Sequence, residues 1–464
     1  MSATIFTVKR SEIEGRLDPF FYRPDFMKLE NAVKKAGALP LRKFVRGIAS
    51  GATPKTDEYE KYYSDKENGI PFLRVQNLSP TSILNYAYCK YINKETHENM
   101  LCRSQINEGD LLVKITGVGR MAIASVAPKG FVGNTNQHMC VIKTADEKTS
   151  WILASWLNTD IAEKLASRRA TGGTRPALDY PALLSIPIIF DERIYETMKK
   201  AVSEMKKKQE QAKELLASID SYLLSELGIT LPQKDNSLSK RIFTMKFSEV
   251  TGGRWDCSYT FKISALAREL QKIKCETLEN LIICNPQYGA NEEAVDYSEG
   301  STRYIRITDI DELGNLKEVD LKSAETIEAK YLLNENDILF ARSGSVGRCY
   351  IHKDMTRKSI FAGYLIRFVL NKELINPDYL FYYCNSSIYK YWVDSIQRPA
   401  VQANINSQEY KSLTIPLPPL LKQKEIAEHI CGIRAQAKQL QAEAEQILQD
   451  AKYQVEKMIL GEQI

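Results

Sequence analysis

Apolar and polar residues alternate with a period of two through many short runs of this chain, and twice the alternation gives way to a helical period. The runs are rich in Val, Ile, Tyr and Thr and are separated by Gly and Pro, as at Ala52-Thr53-Pro54, Ile70-Pro71 and Pro128-Lys129-Gly130. Alternation with such punctuation predicts short strands joined by tight loops. A helical stretch with Trp151, Leu153, Trp156 and Leu157 follows, and Tyr379, Leu380 and Tyr383 stand in the corresponding place of the second half. Beyond an Ile-Pro element in each half the period becomes 3.5. Ile194, Ala201, Leu215 and Tyr222 share one heptad position and Met198, Met205, Ala212 and Ile219 another, with Lys208 as a polar intruder. In the second half Ile426, Ile433, Leu440 and Ile447 form one seam and Ile430, Ala437, Ala444, Ala451 and Met458 the other, with Gln454 interrupting the pattern. These seams predict two long helices of roughly 45–50 Å each, and such helices prefer each other to separate domain surfaces.

The two halves are copies of one unit. IFTVKRSE (5–12) and IFTMKFSE (242–249) share six of eight residues, and Gly15-Arg16-Leu17-Asp18 is matched by Gly253-Arg254-Trp255-Asp256. IPFLRVQNL (70–78) corresponds to TRYIRITDI (302–310), and GDLLVKITGVGR (109–120) to NDILFARSGSVGR (336–348), which pairs Asp110 with Asp337 and Gly119-Arg120 with Gly347-Arg348. SIPI (185–188) corresponds to TIPLPP (414–419) ahead of each long helix. A length of 464 residues suggests about three domains of ~150, but internal order kept over the whole length replaces that with two copies. The expected fold class is α+β: a tandem duplicated unit, each a mixed β-rich domain followed by a long helix, the helices pairing as an antiparallel coiled coil. The expected boundaries are 1–190 and 231–419 for the β-rich domains, and 191–230 and 420–464 for the helices.

Composition excludes more than it identifies. Hydrophobic residues make up 44% and charged residues 26%, as in ordinary globular chains. Nine cysteines form no C-x-x-C pair, which argues against structural zinc and a disulfide framework and for a reducing compartment. The first residues lack the apolar core of a signal peptide, and no apolar run is long enough for a membrane span, so a cytoplasmic protein is expected. No phosphate loop, G-x-S-x-G elbow or H-E-x-x-H pair is present, so no catalytic site and no metal site is expected. One near-match, Asn285-Pro286-Gln287-Tyr288, resembles the N-P-P-Y loop of amino-group methyltransferases, but no Gly-rich cofactor loop precedes it and 51–54 in the first copy is a plain turn. Gly117-Val118-Gly119 and Gly344-Ser345-Val346-Gly347 sit within strand-like runs and read as turns or bulges before phosphate cradles.

The side chains left over are those that bind nucleic acid. The first copy offers Arg74, Gln76 and Asn77, then Lys114, Thr116 and Arg120 around a Gly turn, then Asn134, Asn136 and Gln137, and finally Arg168, Arg169 and Arg175. The second offers Arg306 and Thr308, then Arg342, Ser343, Ser345 and Arg348, then Arg398, Gln402 and Asn404. Arg, Asn, Gln and Ser contact phosphates and base edges. The net charge of +5 is uninformative as a whole. The helical stretches 191–227 and 420–464, however, hold 13 basic and 15 acidic residues, which leaves 50 basic against 43 acidic in the β-rich parts. The basic excess lies where the candidate side chains lie.

The sequence resembles the specificity subunit of bacterial type I restriction–modification systems over nearly its whole length. The resemblance is carried by Gly51, Thr53 and Pro54 leading to IPFLRVQNL, by GDLLVKITG-VGR followed by NTNQH, and most strongly by IPLPPLLKQKEIAEHI (415–430). It implies two target-recognition domains, each reading half of a bipartite double-stranded DNA target, and helices that set the gap. It also implies a subunit with no catalytic site or cofactor of its own. Two methyltransferase subunits would use S-adenosylmethionine, and restriction subunits ATP with Mg. The heads differ, LRVQNL against IRITDI, which suggests an asymmetric target. A related bifunctional restriction–methylation system is the neighbouring alternative, and a self-sufficient adenine methyltransferase built on Asn285 to Tyr288 the distant one.

Overall fold

The structure, a computed structural model, describes residues 5–13, 16–232, 244, 257–397 and 403–460. The chain divides into two compact units, 1–210 with 440–464, and 211–439. The division therefore crosses both long helices, Glu192–Leu227 and Leu420–Leu460. Among the described residues no helix is long and apolar enough to cross a membrane.

The first unit is built on a five-stranded sheet in the order 47–50, 139–143, 111–114, 124–126, 82–83, beside a four-stranded sheet in the order 90–92, 70–73, 133–135, 105–106. Strand Leu111–Lys114 is buried at all four positions, because its alternate side chains enter two different cores. Leu111 and Val113 pack with Ile152, Leu153 and Trp156 of helix Glu147–Leu157. Leu112 points the other way, to Leu73, Leu78 and Phe131. A strand covered on both faces has no polar side to show, so Leu111, Leu112 and Val113 are apolar without alternation. Helix Glu147–Leu157 starts where Asp146 accepts the Thr149 amide (2.7 Å), and helix Asp160–Arg169 where Thr159 accepts that of Ala162 (3.2 Å).

The second unit repeats this plan. Ile338 and Phe340 of strand Ile338–Ala341 enter one core, while Leu339 and Ala341 enter another with Ile305 and Phe361. Asn376 and Ser386 cap helices Pro377–Tyr383 and Ser387–Ile396 in the places of Asp146 and Thr159. Strand 70–73 runs parallel to 133–135, and Arg303–Ile305 runs parallel to Ser359–Phe361. Antiparallel partners correspond too: Val113 faces Cys140, and Phe340 faces Ile366. The duplication is thus present in strand register. The second-copy segments IFTMKFSE and GRWD lie outside the described residues, Thr244 apart.

The core of the second unit is aromatic, and its polar tips are satisfied. Phe340 and Tyr410 stack with centroids 4.7 Å apart, while the Tyr410, Tyr389 and Tyr379 hydroxyls donate to the carbonyls of Ala341 (2.7 Å), Gly347 (2.9 Å) and Pro416 (2.7 Å). Aromatic residues carrying a hydroxyl are buried where a hydrogen-bond partner lies at that depth, here a backbone carbonyl.

The long helices pack together within each unit. In the first, Ile194, Met198, Ala201 and Met205 share a core with Ala444, Leu448, Ala451, Val455 and Ile459, and Lys208 pairs with Glu443 at 2.5 Å. In the second, Leu223 and Leu227 share a core with Ile426, Ala427 and Ile430. There the Tyr222 ring lies 4.2 Å from that of His429 and Glu226 pairs with Lys422, so the helices run antiparallel. The expected seven-residue step is kept by Ile430, Ala437, Ala444 and Ala451 and by Met198, Met205 and Ala212, all buried, and a second spacing runs beside it. Ile426, Ala437, Leu448 and Ile459 are buried at steps of 11, as are Ala201, Ala212 and Leu223. Leu215, Ile219, Tyr222, Ile433, Leu440, Ile447 and Met458 are only half-buried. Eleven residues span three turns at 3.67 per turn, so a nearly straight helix keeps such a stripe on one side, whereas a strict heptad seam requires left-handed supercoiling.

Candidate nucleic-acid interface

At the C-terminal end of the parallel strand pair a glycine brings three chain segments together in each unit. A Cβ on Gly51 would stand 1.6 Å from the Thr135 carbonyl oxygen, and one on Gly289 would stand 2.3 Å from that of Ala362. Only glycine permits this approach. Beside it, Thr116 bridges Ala177 in the first unit, and Ser343 bridges Asn404 in the second, 227 residues on in both strands. The amides that follow keep the same offset: Leu178 donates to Ile115 and Ile405 to Arg342, both at 2.8 Å.

A tyrosine–serine hydrogen bond closes each crossing, with the partners exchanged. Tyr180 donates to Ser50 Oγ (2.8 Å) in the first unit, and Tyr288 pairs with Ser407 Oγ (3.2 Å) in the second. Strand register equates Ser50, opposite Cys140, with Tyr288, opposite Ile366. The counterpart of Asn285-Pro286-Gln287-Tyr288 is therefore 47–50, and not the 51–54 turn, because Gly289 takes the place of Gly51. Tyr288 also carries the Arg342 guanidinium over its ring at 5.0 Å. With one ring face covered and the hydroxyl bonded, this tyrosine is part of the crossing.

The candidate side chains fall into two groups. One group is engaged inside the fold. Arg168 and Arg169 are 1% and 6% exposed and both pair with Glu30, the latter at 2.8 Å, while Arg168 also donates to the Phe21 carbonyl (2.7 Å). Burial opposes ionisation of Glu30, but the two guanidiniums and Lys34 outweigh it and hold the carboxyl below its usual range. Arg120 donates to Asp160 (2.7 Å) and to the Asn158 carbonyl (2.6 Å), and that bond lowers the pKa of Asp160. Arg348 donates to the Ile310 carbonyl (2.8 Å). The recurring Gly-Arg pair thus recurs as scaffold. Lys114, its ammonium made less basic by burial, donates to the Val118 carbonyl (2.7 Å) and closes the turn at Gly117 and Gly119. Asn134 is fully buried and donates to Leu101 (2.8 Å), Asn77 donates to the Asn85 carbonyl (2.9 Å), and Asn136 accepts the His138 amide (3.1 Å). These residues shape the surface from below, contrary to the expectation that each faces a ligand.

The second group reaches solvent. Gln76, Gln137, Arg175, Thr308 and Asn404 are exposed, and Arg74, Thr116, Arg342, Ser343 and Ser345 are half-buried. Thr53, which no composition argument marked, joins Gln137 at 2.7 Å across the first crossing. Tyr364, 65% exposed, accepts the Arg342 amide through its carbonyl (2.9 Å) and adds an aromatic face to the second. Arg398 and Gln402 lie outside the described residues. Each unit thus presents a polar rim on a rigid glycine crossing, with arginine, amide and hydroxyl groups suited to base edges and phosphates.

Comparison with known proteins identifies the second copy. Residues 275–446 match the family model described as Type I restriction modification DNA specificity domain. The match lies within the second copy and takes in its β-rich part and most of the second long helix. A putative type I restriction enzyme MjaX specificity subunit from Methanocaldococcus jannaschii is 35% identical over 127 residues, 26% of this chain and 28% of the relative. The type I restriction enzyme StySPI specificity subunit from Salmonella potsdam is 32% identical over 123 residues, 25% of this chain and 26% of the relative. The matched stretches therefore span little more than a quarter of those relatives. A solved chain from work on complex assembly and conformational transition of the type I R-M system aligns over 91% of this chain and 96% of its own, at 14% identity and a TM-score of 0.43.

Proposed function

We propose that this chain is the noncatalytic DNA-recognition subunit of a type I restriction–modification complex. Each unit reads one half of a bipartite, asymmetric duplex target, and the paired helices fix the gap between the halves. Methyltransferase subunits using S-adenosylmethionine, and restriction subunits using ATP with Mg, supply the chemistry, and the chain itself holds no cofactor. The observation that carries this reading is the duplicated glycine crossing: one scaffold built twice, with different side chains on its rim. A duplicated scaffold with a divergent rim suits a protein that makes the same kind of contact to two different sequences. The engagement of Tyr288 with Arg342 and Ser407 disfavours a self-sufficient methyltransferase.

Two experiments test it. Purified chain incubated with labelled S-adenosylmethionine and mixed duplex DNA transfers no methyl group without a partner; transfer by the chain alone contradicts the proposal. Removing one 11-residue step from both long helices keeps the buried stripe in phase and shortens them by roughly 16 Å, about 5 base pairs. The gap in the methylated sequence should shrink correspondingly, and an unchanged gap would refute the ruler.

A further inference from the structure

The two units differ in which half-buried arginine the fold leaves without a hydrogen-bond acceptor. In the second unit, Arg303, Arg306, Arg348, Arg357, Arg367 and Arg434 all donate to carboxylate or carbonyl oxygens of the same unit. Arg306 is neutralised by Asp309, three residues on, at 2.8 Å. Arg342 is the exception among the described residues: no carboxylate or carbonyl accepts from its guanidinium, its Nε is buried without a partner as is that of Arg367, and the group rests on the Tyr288 ring beside exposed Tyr364 and Asn404. Its counterpart in the first unit is the buried, apolar Ile115.

The first unit reverses the arrangement. Strand register equates Arg74 with Arg306, since Leu73 opposes Thr135 as Ile305 opposes Phe361. The capping group is here the neutral Asn77, which accepts the Arg74 amide (2.9 Å) where Asp309 accepts that of Arg306 (2.8 Å). With no carboxylate at that place, the buried Arg74 Nε also has no hydrogen-bond partner. A half-buried guanidinium without an acceptor has lost part of its hydration with no hydrogen bond in return. Held in place by packing, it presents a planar fork to whatever docks on the rim.

Resting on the DNA-recognition reading, we propose that Arg342 in the second unit and Arg74 in the first are specificity-determining residues, each selecting a guanine in its own half-site. Two adjacent acceptors on one base edge, O6 and N7, match the fork, and no other base offers that pair in the major groove. The two half-sites are then read from different places on one scaffold. Asn77 in place of Asp309 leaves the charge of Arg74 free at one place, and arginine in place of Ile115 supplies that of Arg342 at the other.

The full chain, expressed with its partner methyltransferase subunits, is used to select from a random duplex library, and the enriched sequences give the motif. Arg342→Ala should reduce the preference for guanine at one position of one half-site by roughly 5- to 150-fold, leaving the other half-site and the gap unchanged. Arg342→Lys keeps the charge over Tyr288 but loses the fork, and should relax the same position in a protein that folds and binds. Arg74→Ala should do so in the other half-site alone. Uniform weakening with an unchanged motif would make these arginines phosphate contacts and overturn the proposal, while the recognition reading stands. A wild-type chain that enriches no motif overturns both.

Discussion

Replacing Glu30 with Ala should destabilise the first unit by about 3–5 kcal/mol, the largest single-residue effect expected in this chain. The carboxylate is 3% exposed and is shared by Arg168 and Arg169, themselves 1% and 6% exposed, with Lys34 reaching it from outside at 2.9 Å. Removing it leaves two guanidinium charges buried against each other, and neither can deprotonate to escape. A thermal melt should fall by roughly 6–20 °C, whereas Glu30→Gln, which keeps volume and one acceptor, should fall less. The dependence on pH has a definite sign. The folded carboxyl titrates below the free-glutamate value of 4.5, so its contribution is complete above that value and is lost as pH falls through the lower, folded pKa. The wild-type protein should therefore lose stability on acidification through that window, and Glu30→Gln should lose less.

Gly51→Ala should come close to this in cost. The added Cβ would meet the backbone oxygen of Thr135 at 1.6 Å, with Thr135 fixed in a parallel strand pair. No side chain can swing away, so a strand or the crossing must shift, at a cost of about 3 kcal/mol or more. Gly47→Ala is the matched control on the same strand, where the new atom would lie 3.6 Å from a Lys143 side-chain carbon in ordinary contact. A melt that drops for Gly51→Ala and barely moves for Gly47→Ala is the expected pair of results. Equal drops would mean that the close approach is not what Gly51 supplies. Gly289→Ala should behave as Gly51→Ala does, since its Cβ would lie 2.3 Å from the Ala362 carbonyl oxygen.

The duplication and the element types were legible in the sequence because they rest on local pattern: alternating strands, capped helices and matched order. The rim was legible only in part. Arg168 and Arg169 look like a free basic pair, yet their partner Glu30 lies 138 and 139 residues away on another helix, and no local signal links them. Arg306 could have been discounted from its neighbour Asp309, because an acidic residue three positions on is a local signal; Asn77 in the first copy lacks it. Arg342 is distinguished from Arg348 only by what surrounds them in the fold, a Tyr288 ring against an Ile310 carbonyl. The helices read as heptads because Ala and Ile recur every seven residues. One seam, Ile430 to Ala451, is buried at that spacing, while Ile433, Leu440 and Ile447 are only half-buried and an 11-residue stripe from Ile426 to Ile459 runs beside it, because each helix packs on its own unit as well as on its partner helix.

As proposed, one scaffold, used twice, reads two different sequences at a fixed distance. This is tested most directly by mapping methylated adenine genome-wide in cells that carry this chain with its methyltransferase subunits, and in cells that lack the chain. The expected result is a methylated sequence, present only with the chain, made of two dissimilar half-sites separated by a constant gap of unspecified bases. A single continuous motif, a gap of varying length, or methylation that persists without the chain would contradict it.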